Sequence, residues 1–116
     1  MGISVSDQVD EIVGMYEILE DNDEAEIRRF IEERDYLFPI IKEAKGQILS
    51  VFGDCVKLYL ELYHDIEEGW EKLFIVIKSP YNAEKAIELE RILGEKWFLA
   101  KIKETKGDLI ISEEPI

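Results

Sequence analysis

Five consecutive apolar residues, Leu73–Ile77, constrain the fold of this chain more than any other feature of its sequence. A strand that is apolar at every position is typical of a strand buried on both faces. The segment before it, residues 56–63, alternates instead between apolar residues on one side and polar or aromatic residues on the other, as in a half-buried strand. We therefore expect a β-hairpin whose second strand is central in the sheet, with a covering layer on each face.

The chain up to residue 53 has helical rather than strand periodicity, because its apolar residues recur every three or four positions. Ser4 or Ser6 can cap the first helix, and Asp23 followed by Glu26 resembles the start of a second helix. Gly53 ends the last apolar stripe, as glycine after a helix commonly does. The sequence therefore predicts that residues 1–53 are helical.

Beyond the hairpin, the pattern predicts a helix from about Asn82 to Leu93 and a last strand at Leu109–Ile111. Residues 95–103 fit either a strand or a helix, and we favour a short helix or an irregular turn. The fold class is then α+β, with N-terminal helices followed by a β-hairpin, a helix and a final strand in a small, mainly antiparallel sheet. We expect one domain over residues 1–116, helical in 1–53 and mixed ββαβ in 54–116. The N-terminal helices would cover one face of the sheet, and the helix at 82–93 or a second protomer would cover the other.

The chain is strongly acidic, with a net charge of −13 from 27 Asp and Glu against 14 Lys and Arg. The excess lies mainly in residues 1–54. Such a charge repels phosphate backbones and anionic membranes, so we expect neither nucleic acid nor a membrane as a partner. It favours solubility, and it is also compatible with a basic protein partner.

Cys55 is the one cysteine, so the chain forms no internal disulfide, which fits a reducing cytoplasm. We predict that Cys55 is a small buried core residue, because the neighbouring Asp54 disfavours a reactive thiolate. The N-terminus has no signal-peptide pattern. It matches the short myristoylation pattern, but the acidic flank leads us to expect no lipid on Gly2. Asn and Gln are scarce, which is typical of heat-adapted proteins.

Motifs for the common cofactors are absent from the sequence. The glycines are never closer than seven positions apart, so no glycine-rich phosphate loop exists. There is no C-x-x-C or H-E-x-x-H zinc pattern. The acidic stretch at 21–24 lacks the glycine that a calcium-binding EF-hand loop needs at its sixth position. We therefore expect no cofactor and no specific metal.

One polar cluster is a candidate for chemistry, namely His64, Asp65, Glu67 and Glu68 in the hairpin turn. An imidazole beside carboxylates could act as a general acid or base, or could bind a metal. A histidine on an exposed turn lacks the preorganisation that catalysis needs. We therefore favour a solvated turn and keep an enzyme or metal-binding domain as the alternative.

Aromatic residues form the candidate interface. Tyr59 and Tyr63 share the outward side of the first strand, Phe74 lies on the second strand, and Trp70 lies across the hairpin. Trp97 is a further candidate for this interface, because tyrosine and tryptophan are enriched at interfaces. The alternative is a second core layer, in which these side chains lie under the helix at 82–93.

Four segments carry a resemblance to a known family: Leu58–Leu62 with Asp65, Leu73–Ile77, Asn82–Ala86 and Lys96–Phe98. Together they resemble a family of small acidic prokaryotic proteins with no assigned activity, over about residues 36–112. The resemblance implies no catalytic residue. We therefore expect a non-catalytic interaction domain that forms a homodimer through its sheet or neutralises a basic partner, by analogy with antitoxins.

Overall fold

The computed structural model describes residues 4–116, so the expectation for Gly2 lies outside the described residues. Helices and strands follow one another in a mixed order. The helices are α1 (Val5–Gly14), α2 (Glu24–Glu32), α3 (Phe38–Phe52), α4 (Ala83–Leu93) and α5 (Leu99–Thr105), and the strands are β1 (Glu17–Ile18), β2 (Lys57–Asp65), β3 (Trp70–Ser79) and β4 (Leu109–Pro115). A 3₁₀ turn (Asp35–Leu37) precedes α3, and a π-helical segment (Gly94–Phe98) joins α4 to α5. Residues 95–103 are therefore helical, as we favoured.

The helix boundaries follow from local hydrogen bonds that the sequence predicts. The Ser4 hydroxyl accepts a hydrogen bond from the Asp7 amide at 3.1 Å, and the Asp23 carboxylate accepts one from Ala25 at 2.9 Å. Both contacts satisfy amides that have no partner within a helix. Gly53 ends α3 with a φ of 82°, a conformation that glycine adopts without steric cost. The predicted starts of α1 and α2 and the predicted end of α3 are confirmed.

The sheet is mixed, and the prediction of a mainly antiparallel sheet is wrong. Its strand order is β1-β2-β3-β4, in which only β2 and β3 pair antiparallel, while β1 pairs parallel with β2 and β4 pairs parallel with β3. The strand β1 also interrupts the region predicted to be helical throughout. A strand of two residues is too short to show an alternating pattern, so periodicity in the sequence could not predict β1.

The helices pack on one face of the sheet and form one hydrophobic core with it. Leu89 and Leu93 of α4 belong to the same core as Ile48 and Phe52 of α3. The sheet contributes every second residue of its central strands, namely Leu58, Leu60, Leu62, Leu73, Ile75 and Ile77. The structure is therefore a helical layer on a sheet, and α4 lies in the same layer as the N-terminal helices.

The shared face of the helices determines the handedness of the two connections between parallel strands. Both connections between parallel strands advance across the sheet in the same direction, while β1 and β2 run opposite to β3 and β4. Two right-handed connections of this kind would place their helices on opposite faces. Because both sets of helices share one face, the two connections have opposite hands. Of the two alternatives expected to cover the second face, the helix at 82–93 is therefore wrong, and the second protomer stays a prediction.

Candidate functional site

The face of the sheet that points away from the helices is the candidate site, and we call it the open face. The alternation of side chains along each strand places its members there. In register they form rows, with Tyr59 beside Val76 and Ser112, and Glu61 beside Phe74 and Ile110. The open face comprises Glu17, Lys57, Tyr59, Glu61, Tyr63, Asp65, Trp70, Lys72, Phe74, Val76, Lys78, Ile110, Ser112 and Glu114.

Val76 at the centre of the open face is only 1% exposed, although it is not part of the helix-covered core. Its neighbours in register are Tyr59 and Ser112, and Phe74 and Lys78 flank it along β3. The side chains of the face itself therefore shield it. This explains how a continuous apolar run can exist in a strand that has helices on one side only.

Three aromatic rings form a contiguous group at the hairpin end of the open face. The Tyr63 ring lies 5.6 Å from that of Trp70 and 6.2 Å from that of Phe74, measured between centroids. The Lys72 ammonium lies 4.9 Å from the Trp70 ring centroid. Tyr63 is 48% exposed and Trp70 is 36% exposed. A cluster of large, solvent-exposed aromatic side chains is typical of a protein-binding surface.

The structure brings together Tyr59, Tyr63, Trp70 and Phe74, but it separates Trp97 from them. Trp97 is 5% exposed and belongs to the core on the helical side. Its indole N–H donates to the Glu43 carboxylate at 2.8 Å. The alternation in residues 56–63 placed Lys57 and Glu61 on this side of β2, but it did not predict Ile110 or the charged residues that the other strands contribute. Once β4 is paired with β3, the alternation of side chains identifies them.

A cleft of about 370 Å³ borders the open face next to β1. The segment between β1 and α2 forms one wall, and Tyr59, Glu61 and Lys78 come from the sheet. The wall formed by this segment includes two acidic residues, Glu20 and Asp21. The open face is therefore bounded on this side by the chain segment that leads into α2.

Side chains cap backbone groups at both edges of the sheet. The Asn22 side-chain oxygen accepts a hydrogen bond from the Leu62 amide of β2 at 2.8 Å. The Glu90 carboxylate of α4 accepts one from the Glu113 amide of β4 at 2.9 Å. Unpaired edge groups attract additional strands, so these contacts disfavour strand addition at either edge.

The residues of the predicted polar cluster do not form one site. His64 lies between sheet and helix, with Nδ1 3.0 Å from a Glu71 carboxylate oxygen and Nε2 3.6 Å from Glu26 of α2. Arg29 of α2 donates to the same Glu71 oxygen at 2.9 Å. This hydrogen bond is the main reason why the pKa of Arg29 is raised. His64 therefore lies beside the ion pair between Arg29 and Glu71, in a group of polar side chains that joins α2 to the hairpin.

Of the other three members of that cluster, Asp65 is the last residue of β2, and Glu67 and Glu68 lie in the turn. The Asp65 carboxylate accepts a hydrogen bond from the Glu68 amide at 2.8 Å, and the Glu67 and Glu68 side chains are exposed. Between residues 4 and 116, no group of three or more His, Cys, Asp or Glu side chains is arranged to hold a metal ion.

Cys55 is exposed, so the prediction of a buried core residue is wrong. It lies in the turn between α3 and β2, before the first residue whose side chain enters the core. Its Sγ is 3.2 Å from the Tyr81 hydroxyl, which donates to the Phe52 carbonyl at 2.5 Å. The contact with Cys55, together with partial desolvation, raises the pKa of Tyr81.

Comparison of this chain with protein-family models, with curated proteins and with solved structures gave no match. The resemblance to small acidic prokaryotic proteins therefore stays a prediction. No helix within residues 4–116 is long and apolar enough to cross a membrane. The function has to be inferred from the geometry of the chain itself.

Proposed function

We propose that this chain is a non-catalytic protein–protein interaction domain that binds its partner through the open face. The observation that carries the proposal is the exposed group of Tyr63 and Trp70 on a sheet face with no helix of residues 4–116 over it. A tyrosine and a tryptophan bring large contact areas with few rotatable bonds, which makes them frequent anchors of binding energy. The capped sheet edges support binding on the face rather than beside it.

The alternative, an enzyme or metal-binding domain centred on His64, has less support. Both imidazole nitrogens of His64 lie near carboxylates of Glu71 and Glu26. A catalytic histidine needs one nitrogen within reach of a substrate. His64→Ala separates the two functions, because partner binding should survive this substitution and catalysis should not.

Differential capture from lysate of the native source tests the proposal. The bait is the tagged chain, and the comparison is Tyr63→Glu combined with Trp70→Glu, which places two charges on the exposed aromatic group. Replacing such anchors costs about 2 kcal/mol or more each, so we expect captured proteins, including untagged copies of this chain, to be lost from the variant.

The matched control is Ile87→Glu combined with Leu99→Glu, which changes two exposed apolar side chains on the helical side. This control should retain what the wild type captures. If the open-face variant captures the same proteins as the wild type, the open face is not the binding surface and the proposal is wrong.

A further inference from the structure

We infer that the partner of the open face is a second copy of this chain, bound face to face about a twofold axis. This inference rests on the proposed function and specifies its partner. The observation that carries it is the distribution of charge between the open face and the rest of the molecule.

The open face is close to neutral on a strongly acidic molecule. Its charged members are three lysines, three glutamates and one aspartate, which are Lys57, Lys72, Lys78, Glu17, Glu61, Glu114 and Asp65. Three positive and four negative side chains give the face a net charge of −1, and the Asp65 carboxylate accepts a hydrogen bond from the Glu68 amide of the turn. Nearly all of the net charge of −13 is therefore located elsewhere on the chain.

This distribution favours a like partner over a basic one. A basic protein would be attracted to the acidic surfaces outside the open face, not to a neutral face. Two copies of this chain repel each other least when their neutral faces meet, because the acidic surfaces then point away from each other. The distribution of charge therefore favours a second copy of this chain as the partner of the open face.

Opposite charges on the open face can also pair between two copies. Lys78 and Glu114 already form an ion pair at 3.1 Å. Within residues 4–116, Lys57 and Glu61 have no ion-pair partner, although they lie on the same side of β2. In a twofold arrangement every contact occurs twice, so each Lys57 can meet Glu61 of the other copy.

The size of the open face fits a weak, reversible dimer. The seven paired residues of β3 and β4 span about 24 Å, and three paired strands are about 14 Å wide, which gives a flat area of about 340 Å². Stable interfaces usually bury about 800 Å² per partner, so the open face is smaller than a standard interface. We therefore expect a dissociation constant of about 1–100 μM.

The test is complementation of charge between two variants. Lys57→Glu with Lys72→Glu removes most of the positive charge from the face, and Glu17→Lys with Glu61→Lys removes most of the negative charge. Sedimentation velocity at about 0.15 M salt should find wild-type dimers, each variant monomeric, and a heterodimer in an equimolar mixture. Circular dichroism establishes that both variants are folded.

Control variants carry the same charge changes on α4 and α5, away from the open face. Lys85→Glu with Lys103→Glu and Glu84→Lys with Glu88→Lys should each form the wild-type dimer. The inference is overturned if the wild type is monomeric up to about 100 μM, if either open-face variant still dimerises, or if the mixture stays monomeric.

The capture experiment distinguishes failure of this inference from failure of the proposed function. If the wild type is monomeric but Tyr63→Glu with Trp70→Glu loses a heterologous protein that the control retains, the open face binds a different partner. The proposed function then stands without the second copy. If nothing is lost in that variant either, both are wrong.

Discussion

At Tyr36, burial and a side-chain hydrogen bond both change a chemical property, the pKa of the phenol. Its hydroxyl donates to the Asp108 carboxylate, next to Arg34, whose Nε lies 3.5 Å from the same oxygen. Lys106 lies over the Tyr36 ring, 4.3 Å from its centroid. Burial, and then the bond to Asp108, raise the pKa of Tyr36 to about 12. This contact joins the turn before α3 to the start of β4.

The raised pKa of Tyr36 predicts a loss of stability at high pH. In the unfolded chain the phenol ionises near its ordinary pKa of 10.0, so the folded state retains the proton over a range in which the unfolded state loses it. The stabilising contribution is complete below pH 10 and is lost as pH rises toward about 12. Tyr36→Phe should reduce this loss of stability, which is measured as the free energy of unfolding in chemical denaturation at a series of pH values. In the native state, the tyrosinate absorbance of Tyr36 is obtained as the difference between the wild type and the variant, and it should titrate near pH 12. A difference that titrates near pH 10 would contradict the raised pKa of Tyr36.

At the scale of elements, the edges of the sheet depend on single side chains. The strand β1 pairs with β2 only at Tyr59 and Leu60, so the outer edge of β2 continues beyond the end of β1. Asn22 extends this protection to the Leu62 amide, and Glu90 protects the Glu113 amide on the opposite side. Because a free edge invites pairing with another chain, these two side chains direct association toward the open face.

Asn22→Ala should destabilise the chain by about 1–2 kcal/mol, because it leaves the half-buried Leu62 amide without its acceptor. Urea denaturation measures the loss, and hydrogen exchange of the Leu62 amide should become faster. Glu20→Ala in the same segment is the control, and it should change the free energy of unfolding by less than about 0.5 kcal/mol. Equal effects of the two substitutions would mean that Asn22 contributes no specific bond.

At the scale of the whole molecule, the net charge of −13 opposes association of two copies. The helical layer and the loops carry most of it, while the open face is nearly neutral. Charges separated by more than the screening length interact weakly, and this length falls as the salt concentration rises. Self-association of this chain should therefore depend on ionic strength in a specific direction.

We expect the dimer to become tighter as salt increases from about 0.01 M to about 0.15 M, over which the screening length falls from about 30 Å to about 8 Å. Sedimentation equilibrium should give a dissociation constant several-fold lower at the higher concentration. Glu84→Gln with Glu88→Gln, which removes two acids outside the face, should weaken this dependence. A dimer that dissociates as salt increases would show instead that attraction across the interface dominates over repulsion between the subunits.

The sequence by itself determined the features that depend on neighbouring residues. The capping residues Ser4 and Asp23 and the glycine at 53 defined helix ends, because their hydrogen bonds or φ angles are local. Periodicity identified β2 and α4, and the continuous apolar run at 73–77 identified β3. Alternation along the two strands placed Tyr59, Tyr63 and Phe74 on one side of the sheet. The aromatic part of the candidate site was therefore predicted from the sequence.

Only the tertiary structure decided the features that depend on distant residues. The parallel pairing of β4 and the two-residue strand β1 are set by partners more than 30 positions away in the chain, and no local pattern encodes them. Trp97 lies in the core rather than at the predicted interface, because the π-helical segment that contains it packs against α3, where its indole N–H donates to Glu43. His64 turned toward α2 rather than the hairpin turn because alternation along β2 points it to the helical side. The position of α4 on the same face as the other helices depends on the packing of Leu89 and Leu93 into the core that they share with α3. No local pattern encodes this packing, and it leaves the second face of the sheet open.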